Sequence, residues 1–390
     1  MIKKIVHLCL ASFYIDGYSY QENLLPKFHK ALGYNVEIIS SQQTFDPKGV
    51  MTEFPEGERT YVNENGIKTT RIDYRSRNSF LRCLRKYKGL YHHLQAAAPD
   101  ILFVHGCQFG DAGVVARYVR EHPGVRMFVD NHADYSNSAR GFLSKYLLHR
   151  VVWKHSAHQL LPYVEHFWGV LPARVDFLVE NYDLPREKCS LLVMGGDDDE
   201  VRRASDATKV AETKKKLGFT GDDFVIVTGG KIDEPKRQVL ALMDAAAEMG
   251  EHIKLLVFGP VVPSLQDEFD KRLICNRIIH VPWADTSDSY DYFAIADLVV
   301  FPGRHSVYWE QAAAMGKPLL IKRWDGTTHV DCGGNVAYTS GDSAAALKAD
   351  LQALSNPEML SNMSFAAEMG KKRFLYSEIA RRSIELNGEL

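Results

Sequence analysis

A chain of 390 residues is long for one core and comfortable for two domains, and two domains imply a ligand cleft. With 45% hydrophobic and 25% charged residues and a formal net charge of -2, the composition excludes a disordered, fibrous or membrane-spanning class and argues against nucleic acid as a main partner. Six scattered cysteines, Cys9, Cys83, Cys107, Cys189, Cys275 and Cys332, form no CxxC pair, which excludes a zinc ribbon and suits free thiols in a reducing cytoplasm.

The chain opens as MIKKIVHLCLASF, which imitates a secretion signal. His7 interrupts the apolar run, and a loop and helix follow, so a first β-strand explains it better. No apolar stretch reaches the ~18 residues a bilayer crossing needs, so any membrane contact would be peripheral. The loop from Ala11 to Tyr20 leads to a helix expected near Gln21. Its lone Gly17 is no GxGxxG fingerprint, so NAD and FAD are not expected.

Strand-like runs recur at Ile5–Leu10, Val36–Ser40, Ile101–His105, Met127–Asp130, His158–Leu161 and Leu191–Met194, with longer helical patterns between them. That alternation predicts a parallel, doubly wound sheet. Arg71, Arg75, Arg77, Arg82, Arg85, Lys86 and Lys88 interleave with Phe80, Leu81, Leu84 and Tyr87. This reads as a basic, partly amphipathic helix able to rest on anionic lipid, or else as a solvated face over a core stripe. A second basic patch places Arg140, Lys145, Arg150 and Lys154 among Phe142, Leu147, Leu148 and Trp153. Between the two patches, FVDNHADYSN sets His132 just past a strand, where side chains project into the crevice of a doubly wound sheet. A lone histidine of this kind is otherwise a structural hydrogen-bonding residue.

From Gly195 to Lys216 the chain turns glycine-rich and then charged, and the domain boundary is expected there. Asp197, Asp198 and Asp199 would suit a divalent cation as a DxD motif, but their place in a linker argues against it. The strand pattern then resumes at Phe224–Thr228, Ile253–Phe258, Ile278–Val281, Leu298–Phe301 and Pro318–Ile321. Two helices, Ser343–Ser355 and Pro357–Leu386, complete the chain.

Two segments of this second half carry the chemistry. FVIVTGGKIDEPKRQ ends a strand in Gly229 and Gly230, then offers Lys231 and, five residues later, Lys236. Ammonium groups at a strand's carboxyl end neutralise a diphosphate, and the glycines let a ligand approach the backbone. Solvated surface charge is the bland alternative. FPGRHSVYWEQAAAMGKP runs from a strand through Pro302, Gly303, Arg304, His305 and Ser306 into an alanine-rich helix. Ser306 is expected to cap it, turning the amides of Val307, Tyr308 and Trp309 toward a phosphate. Glu310, one turn in, would accept hydrogen bonds from a ribose diol, or would only complement the helix dipole. Walker, HExxH and GxSxG motifs are absent from the sequence.

Together these segments resemble the retaining GT-B glycosyltransferases of family 4 type that build bacterial surface polysaccharides. EQAAAMGKPLL looks like the stretch after the second glutamate of the E-x7-E motif, and GGKIDEPK looks like the glycine-arginine loop with its phosphate-binding lysine. VMGGDDD resembles the linker strand, NHAD the active-site histidine, and YQENLLPKFHKALGYNVEIIS the first helix and second strand. Two departures stand out: Lys231 replaces the usual arginine, and Pro302 occupies the position of the first glutamate, so His305, Arg304 or the loop amides would take over its sugar contact.

The resemblance implies an α/β fold of GT-B type, two Rossmann-like doubly wound parallel-sheet domains facing across a cleft. Residues 1–198 would bind the acceptor and 199–372 the nucleotide sugar, with helix 373–390 crossing back. It further implies a retaining enzyme with His132, Lys231 and Lys236 at the reaction and Gly230, Gly303, His305, Ser306, Val307 and Glu310 on the donor. No metal or other cofactor is expected, since fixed cations neutralise the leaving diphosphate. Partners would be a nucleotide sugar, a glycan or lipid-linked acceptor, and anionic lipid met peripherally at the inner face of the plasma membrane. A GT-B epimerase and a degenerate, non-catalytic GT-B binding protein are the alternatives.

Overall fold

The computed structural model describes residues 2–11, 14–46, 50–55, 57–136, 138, 143–273 and 276–386. Ser12, Phe13, Arg140, Phe142 and Cys275, singled out above, lie outside the described residues. The chain divides into two compact units, Met1–Val193 with Ile379–Leu390, and Met194–Glu378. These divisions fall at 193/194 and 378/379, against the 198/199 and 372/373 read from the sequence.

The first unit holds β1 (Lys4–Cys9), β2 (Asn35–Ser40), β3 (Gln43–Phe45), β4 (Met51–Glu53), β5 (Arg59–Val62), β6 (Lys68–Arg71), β7 (Ile101–His105), β8 (Arg126–Asn131), β9 (His166–Gly169) and β10 (Cys189–Leu191). Eight of them form one sheet, ordered β10-β9-β8-β7-β1-β2-β6-β5, in which only the β5–β6 pairing is antiparallel. Helices cover both faces, so the central strands read as continuous apolar runs. Ile5, Val6, Leu8, Leu102, Phe103, Val104 and Phe128 are fully buried.

The second unit holds β11 (Phe224–Gly229), β12 (Ile253–Phe258), β13 (Ile278–Val281), β14 (Leu298–Phe301), β15 (Leu319–Ile321) and β16 (Val336–Tyr338). All pair in parallel, ordered β13-β12-β11-β14-β15-β16. The helix Gln238–Ala247, buried through Leu242, Met243, Ala245 and Ala246, covers one face.

Four expectations are corrected. His158–Leu161 is not a strand: it ends the helix Lys154–Leu160, whose Ala157 and Leu160 face the core at helical spacing, and the strand is β9, eight residues later. The polar stretch after Gly196 is no linker but two helices, Asp198–Ala204 and Ala207–Leu217, started by the side chains of Asp197 and Asp206 accepting helix amides. Pro357–Leu386 breaks into Pro357–Gly370, a 3-10 turn at Lys371–Phe374, and Tyr376–Ile384; Gly196 donates to the Phe374 carbonyl at the break, at 2.8 Å.

The fourth concerns the first basic stretch, where no helix runs from Arg71 to Lys88. Arg71 ends β6 fully buried, donating to Tyr61, to the carbonyls of Tyr14, Ser41 and Gln43, and to Asp16 at 2.9 Å. Arg75 pairs with Asp111 at 2.9 Å and Arg82 with Glu53 at 2.5 Å, while Arg85 donates to the carbonyls of Ala11 and Gln108. These cations satisfy internal carboxylates and carbonyls instead of forming one lipid-facing row. Among the described cysteines, Cys9, Cys107, Cys189 and Cys332 are free thiols.

Candidate functional site

In the second unit the strand order runs outward one way from β11 and the other way from β14, so the topological switch lies between them. Loops leaving the carboxyl ends of two such strands diverge and open a crevice for a ligand. The two chemistry-bearing segments of the sequence leave these two strands: residues 230–238 follow β11 and 302–310 follow β14.

The two loops touch. The Arg304 amide donates to the Pro235 carbonyl at 3.4 Å, and a Cβ added to Gly303 would stand 2.9 Å from Lys236 Cα. Gly230 sits at φ +100°, where a Cβ would lie 3.3 Å from the Tyr308 ring and 3.5 Å from Lys236 Nζ. At the end of β12, Gly259 adopts φ +110° with room for no Cβ, since one would lie 2.5 Å from the Gly230 carbonyl. Glycine at both positions therefore serves backbone conformation and close approach together. Lys231 is exposed and Lys236 half-buried. Burial lowers the Lys236 pKa, Asp233 opposes that shift, and the like charge of Lys231 adds to it. Two ammonium groups repelling each other at a crevice invite an anion.

The structure corrects the helix cap. The helix is Tyr308–Ala314, its N-cap is Val307 in a helical conformation, and no side chain caps it. Ser306 contributes its carbonyl instead, accepting the Trp309 amide at 2.9 Å. Of the three amides expected to face a phosphate, Trp309's is thus occupied. At seven residues the helix carries a weak dipole, so anion neutralisation falls to the lysines.

Glu310 is fully buried. Its Oε1 accepts from His305 Nε2 at 2.9 Å and from His329 Nε2 at 2.6 Å, while Oε2 is buried without a partner. Burial raises the carboxyl pKa, but the two histidines outweigh it and hold it at about 2. Sequence reasoning missed His329. It lies 19 residues downstream in the loop after β15, and no local motif marks it. The triad is the one set among the described residues with three potential metal-ligating atoms close together, all within 4.8 Å. As placed, its nitrogens hydrogen-bond to Oε1 more closely than the ~3.3 Å that separates ligands around a zinc-sized ion.

The acidic cluster is structurally engaged. Asp197 accepts the Asp199 amide at 3.0 Å, Asp198 accepts the amide of Ser377 at 2.9 Å and its hydroxyl, and Asp199 meets Arg202 at 3.4 Å.

In the first unit, His132 follows β8 and borders a cavity of about 770 Å³ with Glu22, Gln43, Arg85, His149 and Trp153. His132 Nε2 is 3.5 Å from Asp130 and 3.9 Å from Glu22. Burial lowers the His132 pKa, but Asp130 and Glu22 outweigh it and the net shift is upward. The ring is accordingly disposed to carry a proton. Arg85 at this cavity takes φ +50°, a strained conformation for a side-chain-bearing residue.

No known family profile matches the sequence, and neither does any curated protein. Solved structures do match over the whole chain. HepE from Anabaena, solved with UDP and glucose, superposes with a TM-score of 0.64 at 14% identity, covering 97% of this chain and 98% of its own. WaaG, a glycosyltransferase involved in lipopolysaccharide biosynthesis, gives 0.63 at 15% identity over 99% of this chain and 100% of its own. A putative UDP-N-acetylglucosamine 2-epimerase from Listeria monocytogenes gives 0.61 at 13% identity over 98% and 95%. At such identities these likenesses show the fold: two Rossmann-like α/β units in the GT-B arrangement of chain and topology.

Proposed function

We propose that this chain is a retaining, metal-independent glycosyltransferase that moves a sugar from a nucleotide-diphosphate donor to a glycan or lipid-linked acceptor in bacterial surface polysaccharide synthesis. The observation that carries this reading is the meeting of the Lys231–Lys236 loop with the 302–310 loop at the switch between β11 and β14. There the diphosphate would lie against the two ammonium groups and Gly230, with the amides of Val307 and Tyr308 beside it. The Glu310–His305–His329 triad would take the ribose and donor sugar.

As the bond from the anomeric carbon to the diphosphate oxygen breaks, negative charge grows on the leaving group. Preorganised lysine cations stabilise that charge without a metal. The acceptor hydroxyl then attacks from the face the diphosphate leaves, and its proton passes to the departing diphosphate. His132, whose proton affinity Asp130 raises, would donate a hydrogen bond to the sugar. HepE's complexes with UDP and UDP-glucose support a uridine donor as the first to try.

A thermal-shift panel of UDP-, GDP-, ADP- and dTDP-linked sugars tests the reading. One nucleotide should raise the melting temperature with concentration, because a ligand that binds only the native form stabilises it. No shift from any of them removes the donor site. The epimerase likeness favours a second reading, and product analysis separates the two: an epimerase converts the donor without acceptor, whereas a transferase needs one.

Peripheral contact with anionic membrane is proposed for the 143–154 segment alone, where Arg150 and Val151 are both exposed. Cytoplasmic protein would then sediment with anionic vesicles at low salt and be released as salt screens the attraction. Equal recovery with neutral vesicles rejects the contact.

A further inference from the structure

Three histidines that the proposed reaction does not use are strung in one buried line inside the first unit. His29 lies on the helix Gln21–Ala31, His7 on β1 and His105 at the end of β7, and all are fully buried. His29 Nδ1 is 3.0 Å from His7 Nε2, and His7 Nδ1 is 2.9 Å from His105 Nε2. His105 Nδ1 then meets Asp130 Oδ2 at 2.7 Å, because the register of β7 and β8 sets these two residues side by side. At the far end, His29 Nε2 is 2.9 Å from the Ala380 carbonyl and 3.0 Å from Ser383 Oγ, and that hydroxyl itself donates to the same carbonyl at 2.9 Å. The Phe103 ring packs against all three imidazoles.

Proton counting gives this line a direction. A carbonyl oxygen only accepts, so His29 Nε2 must carry hydrogen. A neutral imidazole has one N–H and one lone pair. His29 Nδ1 therefore accepts from His7 Nε2, and His7 Nδ1 accepts from His105 Nε2. His105 Nδ1 is left facing a carboxylate oxygen, and two lone pairs at 2.7 Å repel, so a proton lies between them. Asp130 also accepts from the Gly106 amide at 3.0 Å and from Gln21 Nε2 at 3.1 Å, which favours its anionic form. The line then holds one proton more than three neutral imidazoles carry, and the ring touching the carboxylate, His105, is where the charge is best balanced.

We propose that His29, His7 and His105 form a tautomer-locked array that keeps His105 cationic, and that this buried charge, sharing Asp130 with His132, sets the pH at which His132 titrates. The three are positioning residues, and their catalytic meaning rests on the role proposed above for His132. Burial holds His7 well below its usual range and His29 at about 4, as neutral links require. Burial raises Asp130, but His105 and His132 outweigh it and the net shift is downward. Among the described residues, the other charged or titratable groups near them include Glu22 on the first helix, Arg174 on the helix after β9, Cys9 on β1, Cys107 just past β7 and Tyr34 beside His29.

Nitrogen-15 histidine spectra of the full chain at pH 8 test the array directly. The expected pattern is hydrogen on Nε2 at His29 and His7 and on both nitrogens of His105. Hydrogen on Nδ1 of His29 or His7, or a neutral His105, overturns it. In His29→Phe the line loses its anchoring carbonyl contact, His7 is free to reverse, and His105 becomes neutral. The His132 titration should then move up by about one pH unit, a tenfold gain in proton affinity, since a neighbouring cation has been removed. A folded variant with the parental His132 titration sinks the proposal, because a merely structural role would cost stability alone. If the variant does not fold, the parental spectra decide. Neither readout requires sugar transfer, so failure of the transferase reading would show separately, in the nucleotide panel.

Discussion

Replacing Lys236 by alanine should lower sugar transfer by ~10²-fold or more, the loss typical of removing one preorganised group that stabilises transition-state charge. The structure adds a reason to expect the effect in kcat as well as in KM. Lys236 is desolvated and lies near Lys231, so its charge is held at a cost that an arriving anion relieves. That relief grows as the diphosphate leaves and its charge rises. The ammonium lies beside Gly230, and Lys236 is not part of the apolar core, so the variant should fold. Because the Lys236 pKa is lowered, the parent should lose activity as pH rises through a value below the ordinary lysine range, and Lys236→Arg should lose that alkaline limb while keeping part of the rate. Steady-state kinetics against pH on the parent and both variants check this. A Lys236→Ala enzyme as fast as the parent would mean the diphosphate sits elsewhere.

Glu310→Ala should have the largest combined effect on stability and donor binding. Removing the acceptor of buried hydrogen bonds costs ~1–3 kcal/mol per group left unpaired, and here a buried and a half-buried histidine N–H lose theirs together. Acid supplies the same test without mutation. The folded pKa of Glu310 is about 2, below its usual 4.5, so the contribution is complete above about pH 4.5 and fades as pH falls toward 2. That shift corresponds to ~3 kcal/mol. Urea titrations between pH 6 and 3 should therefore show a steeper loss in the parent than in Glu310→Ala. Donor affinity should fall ~10- to 100-fold in the variant, the worth of hydrogen bonds to a charged group. Parental stability and parental nucleotide affinity together would reduce the triad to an ordinary loop contact.

Much of the fold was legible because parallel strands buried on both faces are written in near-continuous Val, Ile, Leu and Phe, as Ile101–Val104 and Leu255–Phe258 are. Strands that broke this rule escaped notice. β5 (Arg-Thr-Tyr-Val) and β6 (Lys-Thr-Thr-Arg) carry charged and threonine residues at a sheet edge, and β9 begins with His166, whereas His158–Leu161, in which only Leu160 is buried, proved to be the end of a helix. Short apolar runs look alike in both structures, and only packing decides between them.

The sequence by itself determined which residue types stand at the carboxyl ends of β8, β11 and β14: His132, the glycine-lysine loop, and the stretch from Pro302 to Glu310. Those are matters of local order along the chain, since a strand hands its successor loop directly to the crevice. Tertiary structure alone decided which partners these residues meet. His329 reaches Glu310 from another loop, Asp130 meets His105 through strand register, and His29 and His7 join them only when helix and sheet pack. Hydrogen bonds and buried charges depend on distances across the fold, and residues 19 to 98 positions apart carry no trace of those distances in their spacing.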